Sequence, residues 1–396
     1  MRSRTKILYL GTYERDYPRN SLTIAALRRA GYAVEEIHAS IWTNSADKTS
    51  LLRSPLALLR LTLRLARAYV TLIGRLVAHF NQADLVMIGY IGQLDMLVLG
   101  PLTRVLRRPI MFNPLITLSD TLIDDRRRFR ATSLIARCIR AVDALSLRLP
   151  VTILVDTPEN AAYLTNTFGV NPERLYVVPV GADEETFAPN PRLCDECAGT
   201  TAGITVLFYG TMIPLQGVDT IVRAAKLLQR DGATLFEIIG TGQTLDSAQT
   251  LSRELGVANV DFIPRVPFDE LPRRIERADI VLGIFGESAK AGRVVPNKVY
   301  QAMAMGAAIV TRDSSVQRAL LPDGTSALLV PPGDPEALAN AIRRLYDPIL
   351  RCRIGAAARL RFCETASLGV QAAMLTEAVD ATLLRSKRRR SGRVPA

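Results

Sequence analysis

The sequence predicts an α/β protein built from two doubly wound domains, each with a parallel sheet. Short apolar runs without alternation recur along the chain, separated by helical patterns, as is typical of strands buried on both faces. The chain has 396 residues, which is too long for one typical domain. Residues 185–203 are polar, contain proline and show no period, so they form the predicted linker.

The predicted strands are apolar runs that end in loop signals. In the first half they lie at residues 8–11, 85–89, 110–113 and 151–155. In the second half they lie at residues 204–209, 235–239, 260–263, 280–284, 307–311 and 327–330. Ligands of such sheets bind beyond the carboxyl ends of the strands, so candidate site residues are sought there.

Residues 294–310 (VVPNKVYQAMAMGAAIV) carry the strongest functional signal. They predict a loop, a short helix that Pro296 opens and Gly306 stops, and a buried strand. The basic residues at this helix start are Lys290, Arg293 and Lys298. A helix amino terminus offers N–H groups and a positive dipole end, so the segment predicts a phosphate site without metal. The alternative is an ordinary strand–helix–strand unit with a solvated basic edge.

The charge balance indicates an anionic partner. The formal net charge is +12, which suits anionic lipid, a sugar nucleotide or nucleic acid. Aromatic residues make up 6% of the chain and no basic run is interleaved with them, so no nucleic-acid partner is expected. Cys194 and Cys197 form a lone C-x-x-C pair, which is a weak zinc signal, and no metal is expected. A reducing cytoplasm is the expected location.

Residues 55–80 predict a long apolar helix with a basic stripe. At about 100° per residue its arginines share roughly an 80° arc. They are Arg60, Arg64, Arg67 and Arg75. The arginines interrupt every window long enough to span a bilayer. The helix therefore lies on an anionic membrane surface, or it is a core helix whose arginines face water. The chain has a basic tail at residues 385–396, of which residues 385–393 are predicted to be disordered and solvated.

Several segments resemble glycosyltransferase family four. Residues 206–221 (VLFYGTMIPLQGVDTI), 236–242 (FEIIGTG), 278–286 (ADIVLGIFG) and 294–310 are similar, in order, to the donor domain of that family. Residues 177–183 (VVPVGAD) resemble its approach to the interdomain linker. Residues 112–115 (FNPL), with Ser119 and Asp120, look like a bacterial cell-envelope branch.

The resemblance implies a GT-B architecture with the active site in an interdomain cleft. It implies an acceptor-binding domain at residues 1–184, a donor domain at 204–366 and a crossover helix at 367–384. The implied reaction is metal-independent, retaining transfer of a sugar from a nucleotide-diphosphate sugar to a lipid-linked or other envelope glycan. The enzyme would then sit on the inner face of the membrane. No cofactor is expected, because the nucleotide-sugar is a substrate.

The resemblance also implies roles for residues of the second half. Lys298 and Arg293 would stabilise the leaving diphosphate together with the backbone at Pro296 and Asn297, with Lys290 as a third cation. Gly210, Gly240 and Gly242 end strands, and they also let the backbone approach the nucleotide.

The sequence departs from the family at four positions. Most members place an arginine and a lysine where Thr211 and Gln216 stand, so that part of the clamp is missing. Most members also carry two glutamates eight apart; Arg293 aligns with the first, and Gln301 replaces the second, which grips the ribose. Glu287 would replace the first glutamate only if the loop folds back.

In the first half the candidates are acceptor residues. Gly11 and Thr12 follow the first strand, and Asp120 lies where the family has an acceptor-side polar residue. The remaining candidates are Arg19, Asn20 and Asn113. Asp120, Asp124 and Asp125 are candidates to orient the acceptor hydroxyl, but Asp124 and Asp125 are interpreted as a solvated acidic turn beside residues 126–128. His38 and His79 are interpreted as surface or core histidines.

Two other functions stay open. A nucleotide-sugar-binding scaffold without turnover would explain Thr211, Gln216 and Gln301. A nucleotide-sugar epimerase needs paired carboxylates and a histidine, and the two histidines stand in unpromising places.

Overall fold

The computed structural model describes residues 5–41, 55–189, 203–232 and 234–390. The chain divides into two compact units. The first comprises residues 1–123, 129–180 and 371–396, and the second comprises residues 124–128 and 181–370. The lone cysteine pair, most of the predicted linker and residues 391–396 lie outside the described part.

The first unit contains a six-stranded parallel sheet. Its strands are β1 (Lys6–Gly11), β2 (Ala33–His38), β3 (Leu85–Ile88), β4 (Ile110–Phe112), β5 (Thr152–Val155) and β6 (Leu175–Val177), in the order β2-β1-β3-β4-β5-β6. Its helices are α1 (Pro18–Arg29), α2 (Pro55–His79), α3 (Gln93–Val105), α4 (Leu134–Arg148) and α5 (Pro158–Phe168). A core cluster between the sheet and helices α2 to α5 includes Leu8, Ile88 and Phe112 of the strands.

The second unit contains a second six-stranded parallel sheet. Its strands are β7 (Ile204–Tyr209), β8 (Thr234–Ile239), β9 (Val260–Ile263), β10 (Ile280–Leu282), β11 (Ala308–Arg312) and β12 (Leu328–Val330), in the order β12-β11-β10-β7-β8-β9. Its helices are α6 (Val218–Leu228), α7 (Leu245–Glu254), α8 (Leu271–Arg277), α9 (Asn297–Met305), α10 (Ser315–Leu320), α11 (Pro335–Arg344) and α12 (Pro348–Thr365). The predicted fold class, two doubly wound parallel sheets, is confirmed.

The last helix, α13 (Leu368–Arg390), begins in the second unit and continues into the first. Within the first unit, the Thr382 hydroxyl donates to Oγ1 of Thr152 at 2.7 Å. The disordered tail is a wrong prediction for residues 385–390, because α13 runs through them.

Helix α2 matches its predicted start and ends one residue early. Leu72 and Leu76 are fully buried in the core of the first unit, so one face is a core face. The predicted arginines Arg60, Arg64, Arg67 and Arg75 are all exposed. Among the described residues, no helix has the length and hydropathy needed to cross a bilayer.

Candidate functional site

The carboxyl edge of the second sheet contains a topological switch point. From β7 the chain builds β8 and β9 on one side and β10 to β12 on the other. The loops after β7 and β10 leave this point together, and ligands of doubly wound sheets bind there. The predicted donor residues all lie in these loops, in the loop after β8, or on α9.

The loops after β7 and β10 are joined through their backbones. Phe285 N–H donates to the carbonyl of Gln216 at 3.0 Å, and Gly286 N–H donates to that of Leu215 at 3.2 Å. A Cβ atom on Gly286 would lie 2.5 Å from the Leu215 carbonyl oxygen, so only glycine permits this approach. The two loops therefore form one fixed surface.

The loops after β7 and β8 approach each other just as closely. Gly210 N–H donates to the carbonyl of Ile239 at 3.0 Å, and a Cβ on Gly240 would overlap the Gly210 carbonyl oxygen. Gly210 and Gly240 also have positive φ angles of 147° and 143°, which L side chains rarely adopt. A Cβ on Gly242 would lie 2.8 Å from the Met212 nitrogen. Backbone packing therefore requires glycine at positions 240 and 242, and the positive φ favours it at position 210.

Lys298 is buried, not displayed at an open helix tip. Its ammonium donates to Oε1 of Gln216 at 2.6 Å and to the Gly283 carbonyl at 3.4 Å. It also lies 3.5 Å from the centroid of the Phe208 ring. All three neighbours favour a cation, but burial lowers the pKa of Lys298 well below its usual range. The lysine thus reaches into the loop after β7, within 3.3 Å of where a Cβ of Gly210 would stand.

The predicted start and stop of α9 are both confirmed. Pro296 caps the helix without a side-chain hydrogen bond, and Gly306 ends it in the left-handed conformation at φ 71°. Pro296, Asn297 and Arg293 are partly exposed, whereas Lys290 is buried. The amino end of α9 is therefore partly open to solvent at the cap, Pro296, and at the first helical residue, Asn297.

The other predicted polar residues at this edge differ in their exposure to solvent. Thr211 is exposed at the end of β7. Glu287 is exposed too, with its carboxyl carbon 2.8 Å from where a Cβ of Gly333 would stand, on the β11–β12 side of the sheet. Gln301 is buried, and its Oε1 accepts from the Tyr209 hydroxyl at 2.9 Å. The amide NH₂ of Gln301 is the group left to bond a ligand hydroxyl.

Arg312 was missed by the sequence analysis. It ends β11, is buried, and donates from Nη1 to the carbonyl oxygens of Gly286 and, at 3.4 Å, of Ser288. Burial lowers the pKa of Arg312, and Asp313 and Glu287 oppose that shift. The guanidinium therefore fixes the loop between β10 and α9 through two of its backbone carbonyl groups. A charged residue at the carboxyl end of a buried strand was the available signal.

Residues 124–128 belong to the second unit although they follow residue 123 of the first. The interpretation of Asp125 as solvated is wrong: it is 2% exposed, and its Oδ1 accepts from the Ser288 hydroxyl at 3.2 Å. The Arg126 carbonyl accepts from Nε2 of Gln243 at 3.4 Å. Asp124 is exposed, as expected.

At the end of β1 in the first unit, a buried carboxylate fixes the predicted acceptor loop. Asp95, on α3, accepts from the Thr12 backbone N–H at 2.7 Å and from the Thr12 hydroxyl at 3.1 Å. The Tyr69 hydroxyl of α2 donates to the same carboxylate at 3.0 Å. A Cβ on Gly11 would overlap Oδ2 of Asp95. Asp95 and Tyr69 were not predicted from the sequence, although a lone acid in an apolar helix was a usable signal.

Three other acceptor candidates form a buried network in the first unit. Arg19 is 1% exposed and donates from Nε to Oδ1 of Asn113 at 2.6 Å. Asn20 donates to the carbonyl of Tyr90 at 2.7 Å and accepts from the Tyr9 hydroxyl at 2.9 Å. The network connects the loops after β1, β3 and β4. Because the three side chains are buried and bonded to one another's loops, they fit a role in positioning these loops better than direct contact with a ligand.

Asp120 is buried at the start of a π-helical turn, Asp120–Asp125. Asp143 on α4 accepts from the backbone N–H groups of Leu118 at 2.9 Å and Ser119 at 2.8 Å. Burial raises the pKa of Asp143, and the nearby Asp120 raises it further. Asp143 thus sets the geometry of the turn that presents Asp120. His38 ends β2 and bonds the Tyr13 carbonyl in the loop after β1, whereas His79 bonds the Arg75 carbonyl within α2.

Ionisation of Asp95 should make the first unit less stable as pH rises. Burial raises the pKa of Asp95 to about 6, although the bonds from Thr12 and Tyr69 oppose the shift. Between about pH 4 and 6 the folded state therefore binds more protons than the unfolded state, and the free energy of unfolding falls as pH rises, by up to about 3 kcal/mol. Asp95→Asn should remove this slope in urea unfolding followed at several pH values. An equal slope in Asp95→Asn and wild type would contradict the assignment; Asp84→Asn, at an exposed position, is the matched control.

Comparison with known proteins agrees with this geometry. The family model "Glycosyl transferases group 1" matches residues 203–348. The D-inositol 3-phosphate glycosyltransferase of Acidothermus cellulolyticus is 32% identical over 215 residues, 51% of this chain and 47% of that protein. The Nocardia farcinica enzyme of the same name is 29% identical over 212 residues, 51% of this chain and 46% of that protein. The chain thus spans about half the length of the curated relatives it matches.

Solved structures match nearly the whole chain. Sucrose-phosphate synthase from Thermosynechococcus elongatus has a TM-score of 0.71 and 16% identity, over 96% of this chain and 100% of that one. Anabaena HepE, solved with UDP and glucose, has a TM-score of 0.66 and 16% identity, over 95% and 99%. WaaG, a glycosyltransferase of lipopolysaccharide biosynthesis, has a TM-score of 0.62 and 15% identity, over 96% and 99%. The chain therefore has the GT-B fold, and its residues 203–348 are similar to the group 1 glycosyl transferases.

Proposed function

We propose that this protein is a retaining glycosyltransferase that uses a nucleotide-diphosphate sugar as donor. The observation that carries the proposal is Lys298, whose ammonium lies beside the loop after β7 at the carboxyl edge of the second sheet. The matched family, and a structural neighbour solved with UDP-glucose, support the same donor class. The acceptor is a lipid-linked or other cell-envelope glycan, in keeping with the resemblance to an envelope branch.

The chemistry explains why cations are needed at this edge. As the glycosidic bond to the donor phosphate breaks, negative charge builds on the diphosphate oxygens. Lys298, Arg293 and the N–H groups at the start of α9 stabilise that charge without a metal ion. Burial of Lys298 strengthens its interaction with an anion, because little water competes. Retention of anomeric configuration follows the family resemblance.

A scaffold that binds the donor without turnover is the second candidate. One observation favours it: Gln301, which replaces a ribose-binding glutamate, already uses its carbonyl oxygen to accept from Tyr209. Donor binding without transfer or hydrolysis, over a range of acceptors, would select the scaffold. An epimerase is not favoured, because both histidines lie in the first unit and bond backbone carbonyls.

A nucleotide screen tests the proposed function. Thermal unfolding is followed with the nucleoside mono- and diphosphates of each base, because a ligand that binds only the folded state stabilises it by mass action. We expect one or two nucleoside diphosphates to raise the unfolding temperature, and their sugar conjugates to release nucleotide when acceptor is added. If no nucleoside diphosphate shifts the transition, the donor assignment fails.

We propose further that α2 binds an anionic membrane surface. Its exposed apolar side chains fall in roughly an 80° arc next to the arginine stripe, at about 100° per residue. They are Leu59, Leu63, Val70, Ile73 and Val77, with exposed fractions of 36% to 73%. An exposed apolar arc beside a basic one is typical of a helix that lies in a membrane interface.

The membrane proposal predicts a charge-dependent association. The protein should sediment with phosphatidylglycerol vesicles at low salt, and much less when Arg60, Arg64, Arg67 and Arg75 are all replaced by glutamine, because each basic residue contributes about 1 kcal/mol near an anionic surface. Leu63→Ser with Val70→Ser should weaken binding at high salt as well. The control is Arg223→Gln on α6. If the arginine variant sediments as the wild type does, the membrane proposal is wrong, and α2 is a core helix whose arginines face water.

A location on the cytoplasmic face of the membrane follows from these proposals, since nucleotide-sugars are made in the cytoplasm. Cell fractionation with detection of the chain in membrane pellets tests the location.

A further inference from the structure

The segment of residues 124–128, here called the strap, lies across the candidate donor site. Within the second unit it is anchored at two points. Ser288, in the loop after β10, donates to the buried carboxylate of Asp125 at 3.2 Å. Gln243, in the loop after β8, donates to the carbonyl of Arg126 at 3.4 Å.

The two anchors fix where the strap runs. In the second sheet β8 and β10 are the two neighbours of β7. A segment bonded to the loops after both neighbours therefore crosses the carboxyl edge near the end of β7. The loop that begins there, with Gly210, contains Thr211 and Gln216, where the resemblance places cations that this chain lacks.

The strap carries positive charge that is not neutralised by ion pairs with the described carboxylates. Arg126, Arg127 and Arg128 are consecutive, and within the described part of the chain no carboxylate lies in ion-pair distance of their guanidinium groups. Arg127 has a φ of 48°, a left-handed conformation uncommon for a residue other than glycine. Such a conformation persists where the surrounding structure imposes it, here through the two anchors.

The loop after β7 supplies no positive charge of its own, because Thr211 and Gln216 are neutral. The partly exposed cation of the loop after β10 is Arg293, and Lys298 is buried between Gln216 and the Phe208 ring. A diphosphate carries at least two negative charges, which guanidinium groups bind with paired, charge-assisted hydrogen bonds.

We propose that the strap completes the diphosphate site, with Arg126, Arg127 and Arg128 replacing the cations absent at Thr211 and Gln216. Asp125 is a positioning residue: it binds no ligand and holds the strap to Ser288. This inference rests on the proposed function, since it assigns further residues to the same donor site.

Calorimetric titration of the full chain tests the strap. The probes are the nucleoside diphosphate that the wild type binds best and the same nucleoside without phosphate. Replacing Arg126, Arg127 and Arg128 together by glutamine should weaken diphosphate binding by about tenfold or more, and nucleoside binding by less than about twofold. Asp125→Ala should weaken diphosphate binding selectively as well, although it removes no positive charge.

The matched control carries Arg223→Gln and Arg253→Gln, two exposed arginines on α6 and α7 of the same unit. It should bind both probes as the wild type does. If the triple variant binds the diphosphate within twofold of wild type, or loses nucleoside and diphosphate affinity equally, the strap proposal is wrong while the donor assignment stands. A wild-type chain that binds no nucleoside diphosphate overturns both.

Discussion

Replacing Lys298 by methionine should slow sugar transfer by roughly 30- to 1,000-fold, the effect of losing about 2–4 kcal/mol of transition-state stabilisation. The lysine lies beside the loop after β7, with its ammonium 2.6 Å from Oε1 of Gln216. There it would stabilise the negative charge of the leaving diphosphate. Methionine fills a similar volume, and it removes a buried charge whose desolvation is costly, so the unit should stay folded. Steady-state rates at saturating donor measure the effect.

The pH dependence of binding gives this prediction a second readout. Burial lowers the pKa of Lys298 in the free protein, and a bound diphosphate would raise it again. Binding would then take up a proton, so wild-type affinity should fall as pH rises between the two pKa values, and that slope should be missing in Lys298→Met. Lys226→Met, on α6, is the control, because Lys226 bonds the Gly256 carbonyl at the opposite edge of the sheet. Wild-type rates and slope in Lys298→Met would remove the lysine from the mechanism.

Replacing Arg312 by methionine should weaken nucleoside diphosphate binding by about tenfold or more, although Arg312 is not required to touch the ligand. Its guanidinium donates to the carbonyl oxygens of Gly286 and Ser288, which precede the start of α9. Without it these carbonyls lose a charged donor, which costs about 1–3 kcal/mol, and the loop loses its fixed shape. Binding affinity and thermal unfolding are measured together.

Arg318 offers a matched control for Arg312. It lies six residues further along the chain, on α10, with 63% of its side chain exposed in a salt bridge to Asp313. Arg318→Met should leave both affinity and unfolding temperature close to wild type, because exposed ion pairs contribute little. If Arg312→Met binds the nucleotide as the wild type does, the guanidinium does not position the loop.

The central strands of both sheets were predictable, because each is a mainly apolar run. Strands β7 and β9 match their predicted ends, and most others differ by one or two residues. The sequence analysis missed β2 and β6, which are the two edge strands of the first sheet. Edge strands bury less of their surface, and Glu35 and Glu36 interrupt the apolar pattern of β2.

The candidate site was predictable in position but not in detail. A helix start with nearby cations located α9, yet spacing alone did not reveal that Lys298 turns inward to Gln216. Contacts between residues far apart in sequence were also beyond pattern analysis. Asp125 reaches Ser288 across 163 positions, and Asp95 meets Thr12 across 83. Such carboxylates resemble solvated acids or chance helix residues until the fold brings their partners near.

A crystal structure of the chain with its preferred nucleoside diphosphate tests the central claim most directly. We expect the diphosphate at the carboxyl edge of the second sheet, with phosphate oxygens in hydrogen-bond reach of Lys298 and of the backbone at the start of α9. A nucleotide bound elsewhere, or a phosphate that approaches neither the lysine nor that helix start, would contradict the account.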